Sequence, residues 1–203
     1  MKLTPGQIDK AKGIFRRHGG MLRTAEAIRE GIQPRVLYAM RDAGLVETLT
    51  RGCYRLADLA PMANPDVAVV AKASPKGVIC LISALAFHEI TTQIPHAVDL
   101  ALPAHAHKPT ISYPPVQAYW FSGRAYSEGV ETHEIDGVRV RIYNPAKTVA
   151  DCLKYRNKVG LDVAIEALRF CRERKRTPVS ELLEYARICR VQNIMSPYLE
   201  AMI

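Results

Sequence analysis

The stretch that most constrains the fold is "QPRVLYAMRDAG" (33–44), in which a proline and a glycine bracket an amphipathic run. Proline is tolerated at the first position of a helix and glycine is favoured just after the last, so the spacing predicts a helix from Pro34 that stops at Gly44. At 100° per residue, its apolar side chains share one arc of about 120°. That inward arc holds Val36, Leu37, Met40 and Ala43.

Two helices are predicted before this one. Thr4-Pro5 is typical of a helix start, and "HGG" (18–20) ends the first helix. Thr24 caps a second, shorter helix, whose Ala27 and Ile28 are expected to face inward.

After the third helix, the strand-like runs "LVETL" (45–49) and "CYRL" (53–56) flank "TRG" (50–52) and predict a β-hairpin with a basic tip. Three helices followed by a hairpin form a winged helix-turn-helix, in which the third helix enters the major groove of DNA and the hairpin approaches the backbone. We therefore predict a DNA-binding domain over residues 1–60. A winged helix that binds protein instead would leave Arg35 and Arg51 without a role.

The polar side chains of this domain suit the chemistry of DNA recognition. Arg35 can bind guanine bidentately, and Gln33 can pair with adenine. Tyr38 can contact a phosphate or a thymine methyl group, while Arg51 at the hairpin tip is expected near the backbone or the minor groove. Side chains at the start of the second helix are placed for phosphates. The predicted DNA-contacting residues are Arg23, Thr24, Gln33, Arg35, Tyr38, Arg41 and Arg51.

The charge distribution agrees with a polyanionic partner at the N-terminal end. Residues 1–60 carry 11 lysines and arginines against 6 acidic residues, whereas residues 61–145 carry 6 against 7 and residues 146–203 carry 11 against 7. Charge alone does not distinguish DNA, RNA and an acidic membrane. The longest apolar run, Gly77–Phe87, is too short to span a bilayer, and "MKLTPGQIDK" lacks the apolar core of a signal peptide, so we expect a cytoplasmic protein without a membrane partner.

Beyond a proline-containing linker in "LADLAPMANPD" (56–66), residues 61–203 are predicted to form an α+β domain. The apolar "VICLISALAFHEI" (78–90) favours a buried helix, with a strand left open over its first half. Short β-rich runs follow between 97 and 143, with a hairpin at Asp136-Gly137, and a helical tail begins at Asn144-Pro145. The fold class is therefore α+β: a winged helix-turn-helix, a small β-sheet and a helical tail.

No catalytic motif is complete in the chain. His88-Glu89 lacks the second histidine of a metalloprotease helix, because Thr92 occupies that position, and the five cysteines form no CxxC pair. We expect no cofactor and no metal, and a protein that is not an enzyme. The alternative is a nuclease-like enzyme that the winged helix delivers to DNA, with Glu134 and Asp136 sharing a magnesium ion. A solvated strand face explains these two acids more simply.

The basic "RERKR" (172–176) is predicted to be a solvated helix end, with a second phosphate contact as the alternative.

Three motifs in order resemble the AbiEi family, the antitoxin and transcriptional regulator of type IV toxin–antitoxin systems. They are "GCYRLAD" (52–58), "ICLISALAFHEI" (79–90) and "VRIYNPAKTVADCLKYRNKVG" (140–160), with "ALRF" (167–170) after them. The resemblance implies an N-terminal domain that binds operator DNA with inverted repeats and represses its own operon. It also implies a C-terminal antitoxin domain that counteracts a nucleotidyltransferase toxin, which need not be bound directly. The segment from Lys147 to Arg156 is the region we would test first for antitoxin activity.

Overall fold

The structure is a computed structural model that describes residues 4–174 and 177–202, and it has the predicted α+β composition. Its contacts group the residues into two compact units. The first, which we call the winged-helix unit, contains the described residues up to Pro75 together with Pro109–Pro114 and His133–Val140. The second, the C-terminal unit, contains Lys76–Lys108, Pro115–Thr132 and the described residues from Arg141 onward. Whether residues 61–203 fold independently, as the linker prediction requires, stays a prediction that limited proteolysis can test.

The winged-helix unit has the predicted order of elements and one additional strand. Its three-stranded antiparallel sheet has the order β1-β3-β2, and β1 was not predicted because three residues are too few to show a strand period. The elements are α1 (Pro5–Arg17), β1 (Met21–Arg23), α2 (Thr24–Arg29), α3 (Pro34–Asp42), β2 (Val46–Thr50), β3 (Cys53–Leu56) and α4 (Pro65–Ala73).

The core of this unit corrects two of the predicted inward positions. Val36, Leu37 and Met40 are buried as expected, but Ala43 is exposed because α3 ends at Asp42 and Ala43 lies in the turn. Ile28 is also exposed, because the six-residue α2 turns only Ala27 into the core. A short helix buries a narrower face than a longer one, so the helical period predicted more buried residues in α2 than the structure has.

The predicted turn at Asp136-Gly137 is confirmed, and it packs against another glycine turn. A Cβ atom added to Gly19 would lie 1.9 Å from the carbonyl oxygen of Gly137, so neither position has room for a side chain. The Asp136 carboxylate accepts hydrogen bonds from the backbone N–H groups of Ala63 and Asn64, both at 3.0 Å. Asn64 is the N-cap of α4, so this carboxylate satisfies backbone donors at the start of a helix.

The second sheet has five strands in the order β6-β5-β4-β8-β7, of which β4, β5 and β6 belong wholly to the C-terminal unit. The apolar run 78–90 forms both of the alternatives left open, a two-residue strand followed by a helix. The strands are β4 (Val78–Ile79), β5 (Val98–Pro103), β6 (Val116–Phe121), β7 (Val130–Ile135) and β8 (Val138–Tyr143). The helices are α5 (Leu81–Phe87), α6 (Arg124–Ser127), α7 (Pro145–Lys154), α8 (Arg156–Val159), α9 (Leu161–Glu173), α10 (Val179–Cys189) and α11 (Gln192–Glu200).

Helix α7 is the central helix of this unit. It contacts α5, α9 and α10, and every residue from Ala146 to Leu153 is buried. The buried residues include an ion pair, in which Lys147 Nζ lies 2.5 Å from Asp151 Oδ2. Among the helices of the described ranges, none has the length and apolar content needed to cross a bilayer.

The buried carboxyl group of Asp99 on β5 should make the free energy of unfolding depend on pH. Its side chain is buried against Ser83, whose backbone N–H donates to Oδ2 at 3.3 Å, and burial raises the pKa of Asp99 to about 6. Because this pKa is higher than in the unfolded chain, the stabilising effect is complete below about pH 4 and is lost as the pH rises through 6. The loss is about 3 kcal/mol. Urea unfolding of the wild type and Asp99→Asn at pH 4.5 and 7.5 checks this, since the wild type should lose more stability across the interval. An equal loss in both proteins would contradict it.

A candidate nucleic-acid interface

Helix α3 is held by its apolar face and presents its polar face to solvent. Val36, Leu37 and Met40 pack into the core of the winged-helix unit, while Arg35, Tyr38 and Arg41 are exposed. The Tyr38 side chain is 40% exposed, so its ring and hydroxyl group are both accessible to a ligand. The exposed face therefore combines cations with an aromatic ring, as groove-binding helices do.

The guanidinium of Arg35 is positioned by its neighbour. Arg35 Nε donates a 2.6 Å hydrogen bond to Gln33 Oε1, and Gln33 is the N-cap of α3. This bond leaves both terminal amino groups of Arg35 available, and two parallel N–H donors are what guanine O6 and N7 accept. Pairing of Gln33 with adenine would need Oε1, which already accepts the hydrogen bond from Arg35. In the free protein, Gln33 therefore orients Arg35.

Arg41 and Tyr38 form a second cluster on the helix. The guanidinium of Arg41 lies 5.3 Å from the centre of the Tyr38 ring and 2.7 Å from Asp42 Oδ1. The hydrogen bond and the charge of Asp42 raise the pKa of Arg41 above its usual value. Because Asp42 offsets its charge, Arg41 attracts a phosphate less strongly than an unpaired arginine would.

The wing turn is tied to the start of α2. Arg51 and Gly52 form the turn between β2 and β3, with Arg51 exposed and Gly52 at a φ of 73°, a conformation that favours glycine. The Gly52 carbonyl accepts hydrogen bonds from the Thr24 N–H at 2.9 Å and from the Thr24 hydroxyl at 3.4 Å. The N–H and hydroxyl groups of Thr24, which were predicted to bind a phosphate, thus donate within the protein and hold the wing turn against the start of α2.

Arg23 remains exposed beside this junction. Its Nη1 donates to the Ala73 carbonyl at 3.2 Å, and its backbone N–H donates to Glu26 Oε2 at 2.9 Å. Glu26 also pairs with Lys72 at 3.2 Å. The seven predicted DNA contacts therefore belong to three local structures: the start of α2, helix α3 and the wing turn.

The acids proposed for the nuclease alternative have different surroundings. Glu134 is an exposed residue of β7, whereas both carboxylate oxygens of Asp136 accept from backbone N–H groups. Residues 4–174 and 177–202 contain no cluster of three or more His, Cys, Asp or Glu side chains that could hold a metal ion. His88 is buried, and its Nε2 lies 2.8 Å from the Tyr143 carbonyl oxygen, which is a structural role.

The predicted antitoxin segment is mostly inaccessible. From Lys147 to Leu153 the side chains are buried in α7, and only those of residues 154–156 reach the surface. Substitutions at the buried positions would report on folding and not on a partner surface. Of the basic run 172–176, residues 175 and 176 lie outside the described part of the chain.

Comparison with known proteins supports the N-terminal assignment. Residues 10–57 match the family model described as "Transcriptional regulator, AbiEi antitoxin", which confirms the resemblance for the winged-helix segment. No curated protein sequence matches the chain. Among solved structures, the chain is similar to the RV2827C protein from Mycobacterium tuberculosis, with a TM-score of 0.60 and 10% sequence identity over 91% of this chain and 72% of that chain. At this identity the similarity concerns the fold.

Proposed function

We propose that this protein is a DNA-binding transcriptional regulator that represses its own operon, and the antitoxin of a type IV toxin–antitoxin system. The observation that carries the proposal is the exposed face of α3, where Gln33 orients Arg35 beside Tyr38 within a segment that matches the AbiEi regulator model. The partner is double-stranded operator DNA with inverted repeats, because two copies of a winged helix read two half-sites most simply when these are related by symmetry.

The antitoxin part of the proposal concerns a nucleotidyltransferase toxin as functional partner. It is supported by the match of residues 10–57 to the AbiEi antitoxin model. We place the protein in the cytoplasm, where both the operator and the toxin's substrates would be found.

Two experiments test this function. In a footprint on DNA from upstream of its own gene, the purified protein should protect an inverted repeat. A reporter gene placed under the same DNA should be expressed less when the protein is present. Co-expression of this protein with a nucleotidyltransferase toxin encoded in the same operon should relieve the growth arrest that the toxin causes. If the upstream DNA is bound no more tightly than random duplex, the regulator proposal is wrong.

The non-enzymatic part of the proposal predicts that supercoiled DNA stays intact when it is incubated with the protein and Mg²⁺ or Mn²⁺. Each oxygen of Asp136 accepts a hydrogen bond from the backbone N–H of Ala63 or Asn64, which gives this carboxylate a structural role at the start of α4. Agarose-gel analysis of the DNA over several hours measures the outcome, with Glu134→Gln and Asp136→Asn as matched variants. Metal-dependent cleavage that either substitution abolishes would establish the nuclease alternative.

A further inference from the structure

A groove of about 1110 Å³ in the C-terminal unit is lined by five cationic side chains. They come from separate elements of the chain, and one carboxylate, Glu184, lines the groove with them. The cations of this basic groove are Arg124 on α6, Lys154 at the end of α7, Arg156 on α8, Arg187 on α10 and Arg190 in the turn after α10.

The charge of the basic groove is largely unneutralised. Arg124 pairs with Glu128 at 3.4 Å, but across the described residues the other four cations form no ion pair. Arg156 and Arg187 donate to the backbone carbonyls of Leu153 and Leu183, which leaves donors free on each guanidinium. Several like charges around one concave surface repel each other and attract an anion more strongly than the same charges spread over a flat face.

Arg190 has a backbone conformation that its side chain disfavours. It lies in the left-handed region at φ 60° and ψ 41°, directly after the last residue of α10, where glycine or asparagine is the usual choice. An arginine there costs stability, and its exposed side chain lines the groove. Arg190 is therefore a groove residue that can be replaced by glycine without a cost to the backbone.

The volume and composition of the groove favour an extended ligand. Its volume is above the usual range of about 300–1,000 Å³ for small-molecule sites, and those sites are lined mainly by apolar and aromatic walls. Among the described residues that line it, none is aromatic, and Ser122 and Ser180 add hydroxyl donors. Base stacking therefore has no platform here, whereas phosphates can be bound by cations and hydroxyl groups. A rigid duplex meets a concave surface mainly at its rim, whereas a flexible single strand can follow the wall of a positively charged groove.

We propose that the basic groove binds the phosphate backbone of single-stranded nucleic acid without sequence preference. The strand would contact Lys154, Arg156, Arg187 and Arg190, with Arg124 at the rim. This function uses none of the residues assigned to operator recognition, so it does not depend on the proposed regulator activity.

The test uses the full chain and a fluorescein-labelled twelve-nucleotide oligouridine. The groove variant Lys154→Ala/Arg187→Ala/Arg190→Gly should bind this probe at least tenfold more weakly than the wild type. The slope of log affinity against log salt concentration should fall by about 2, since each phosphate contact to a single strand contributes about 0.7. A control variant, Arg139→Ala/Lys158→Ala/Arg169→Ala, removes three exposed cations outside the groove and should bind nearly as the wild type does.

Arg190→Gly alone separates a binding role from a structural one. Glycine relieves the left-handed conformation, so the melting temperature should stay the same or rise while oligouridine binding weakens about threefold. Equal probe binding by the groove and control variants would overturn the proposal. Displacement of the probe by an equimolar amount of inorganic triphosphate would also overturn it, because the groove would then be a small-ligand site. Arg35→Ala should leave probe binding unchanged, so failure of operator binding is distinguishable from failure of this site.

Discussion

Lys147→Met should lower the free energy of unfolding by about 3–5 kcal/mol, because it leaves the carboxylate of Asp151 buried without its cation. Both side chains are completely buried, with Nζ 2.5 Å from Oδ2, and Nζ also lies 4.0 Å from the centre of the Tyr143 ring. The second oxygen of Asp151 accepts a weak hydrogen bond from Cys189 Sγ at 3.2 Å. Denaturant unfolding of the full chain, followed by tryptophan fluorescence and circular dichroism, measures the change.

The pH dependence of the variant gives a second signature. Burial already raises the pKa of Asp151, and the positive charge of Lys147 lowers it. Without Lys147 the pKa rises further, so the destabilisation should be smaller at pH 5 than at pH 8.

The matched control for this prediction removes both charges. Lys147→Met/Asp151→Leu should recover most of the lost stability, because apolar residues of similar size can replace a buried ion pair at little cost. If the double variant is as unstable as Lys147→Met, the loss comes from packing and the ion-pair explanation is wrong.

Arg35→Ala should reduce the preference for operator over random duplex by roughly 5- to 150-fold, which corresponds to the 1–3 kcal/mol that a bidentate base contact contributes. Gln33 holds the Arg35 guanidinium by Nε alone, so its terminal amino groups can face a guanine. Binding to random DNA should change little, since contacts to bases add little there. Equilibrium titration of labelled operator and random duplexes measures both affinities.

Two other arginine variants serve as comparisons for Arg35→Ala. Arg29 is exposed at the last position of α2, at the opposite end of that helix from Arg23 and Thr24, so Arg29→Ala should leave the operator preference unchanged. Arg41→Ala should have a smaller effect than Arg35→Ala, because Asp42 already offsets the charge of Arg41. An equal loss of preference in all three variants would indicate a general effect of charge and would remove Arg35 from base recognition.

The sequence predicted those parts of the fold that a local pattern determines. The proline and glycine at 34 and 44 bound α3 because they act on the backbone within one turn of the chain, and Asp136-Gly137 forms the expected hairpin turn. The alternation of valine and isoleucine in Val138–Tyr143 likewise became a strand with Val140 and Ile142 buried.

Other features depend on contacts between distant segments and have no local signal. In the sequence, Lys147 looks like a solvent-exposed lysine. It is buried in the structure, where its ammonium group lies beside Asp151 and over the rings of Phe121 and Tyr143. The basic groove combines Arg124 with residues up to Ile194, and only the folded chain brings them together. The hydrogen bond from Arg35 to Gln33 is also a side-chain arrangement, which the helical period does not specify.

The most direct test of the central claim, that α3 and the wing bind DNA in different ways, is a salt titration. Wild type, Arg35→Ala and Arg51→Ala are each titrated on operator and random duplexes at several salt concentrations. Arg51 is exposed in the wing turn, so Arg51→Ala should weaken binding to both duplexes and lower the log–log salt slope by about 0.9, the value of one phosphate contact. Arg35→Ala should weaken operator binding selectively and change the slope less. If neither substitution alters either affinity, this helix and wing do not contact DNA, and the account is contradicted.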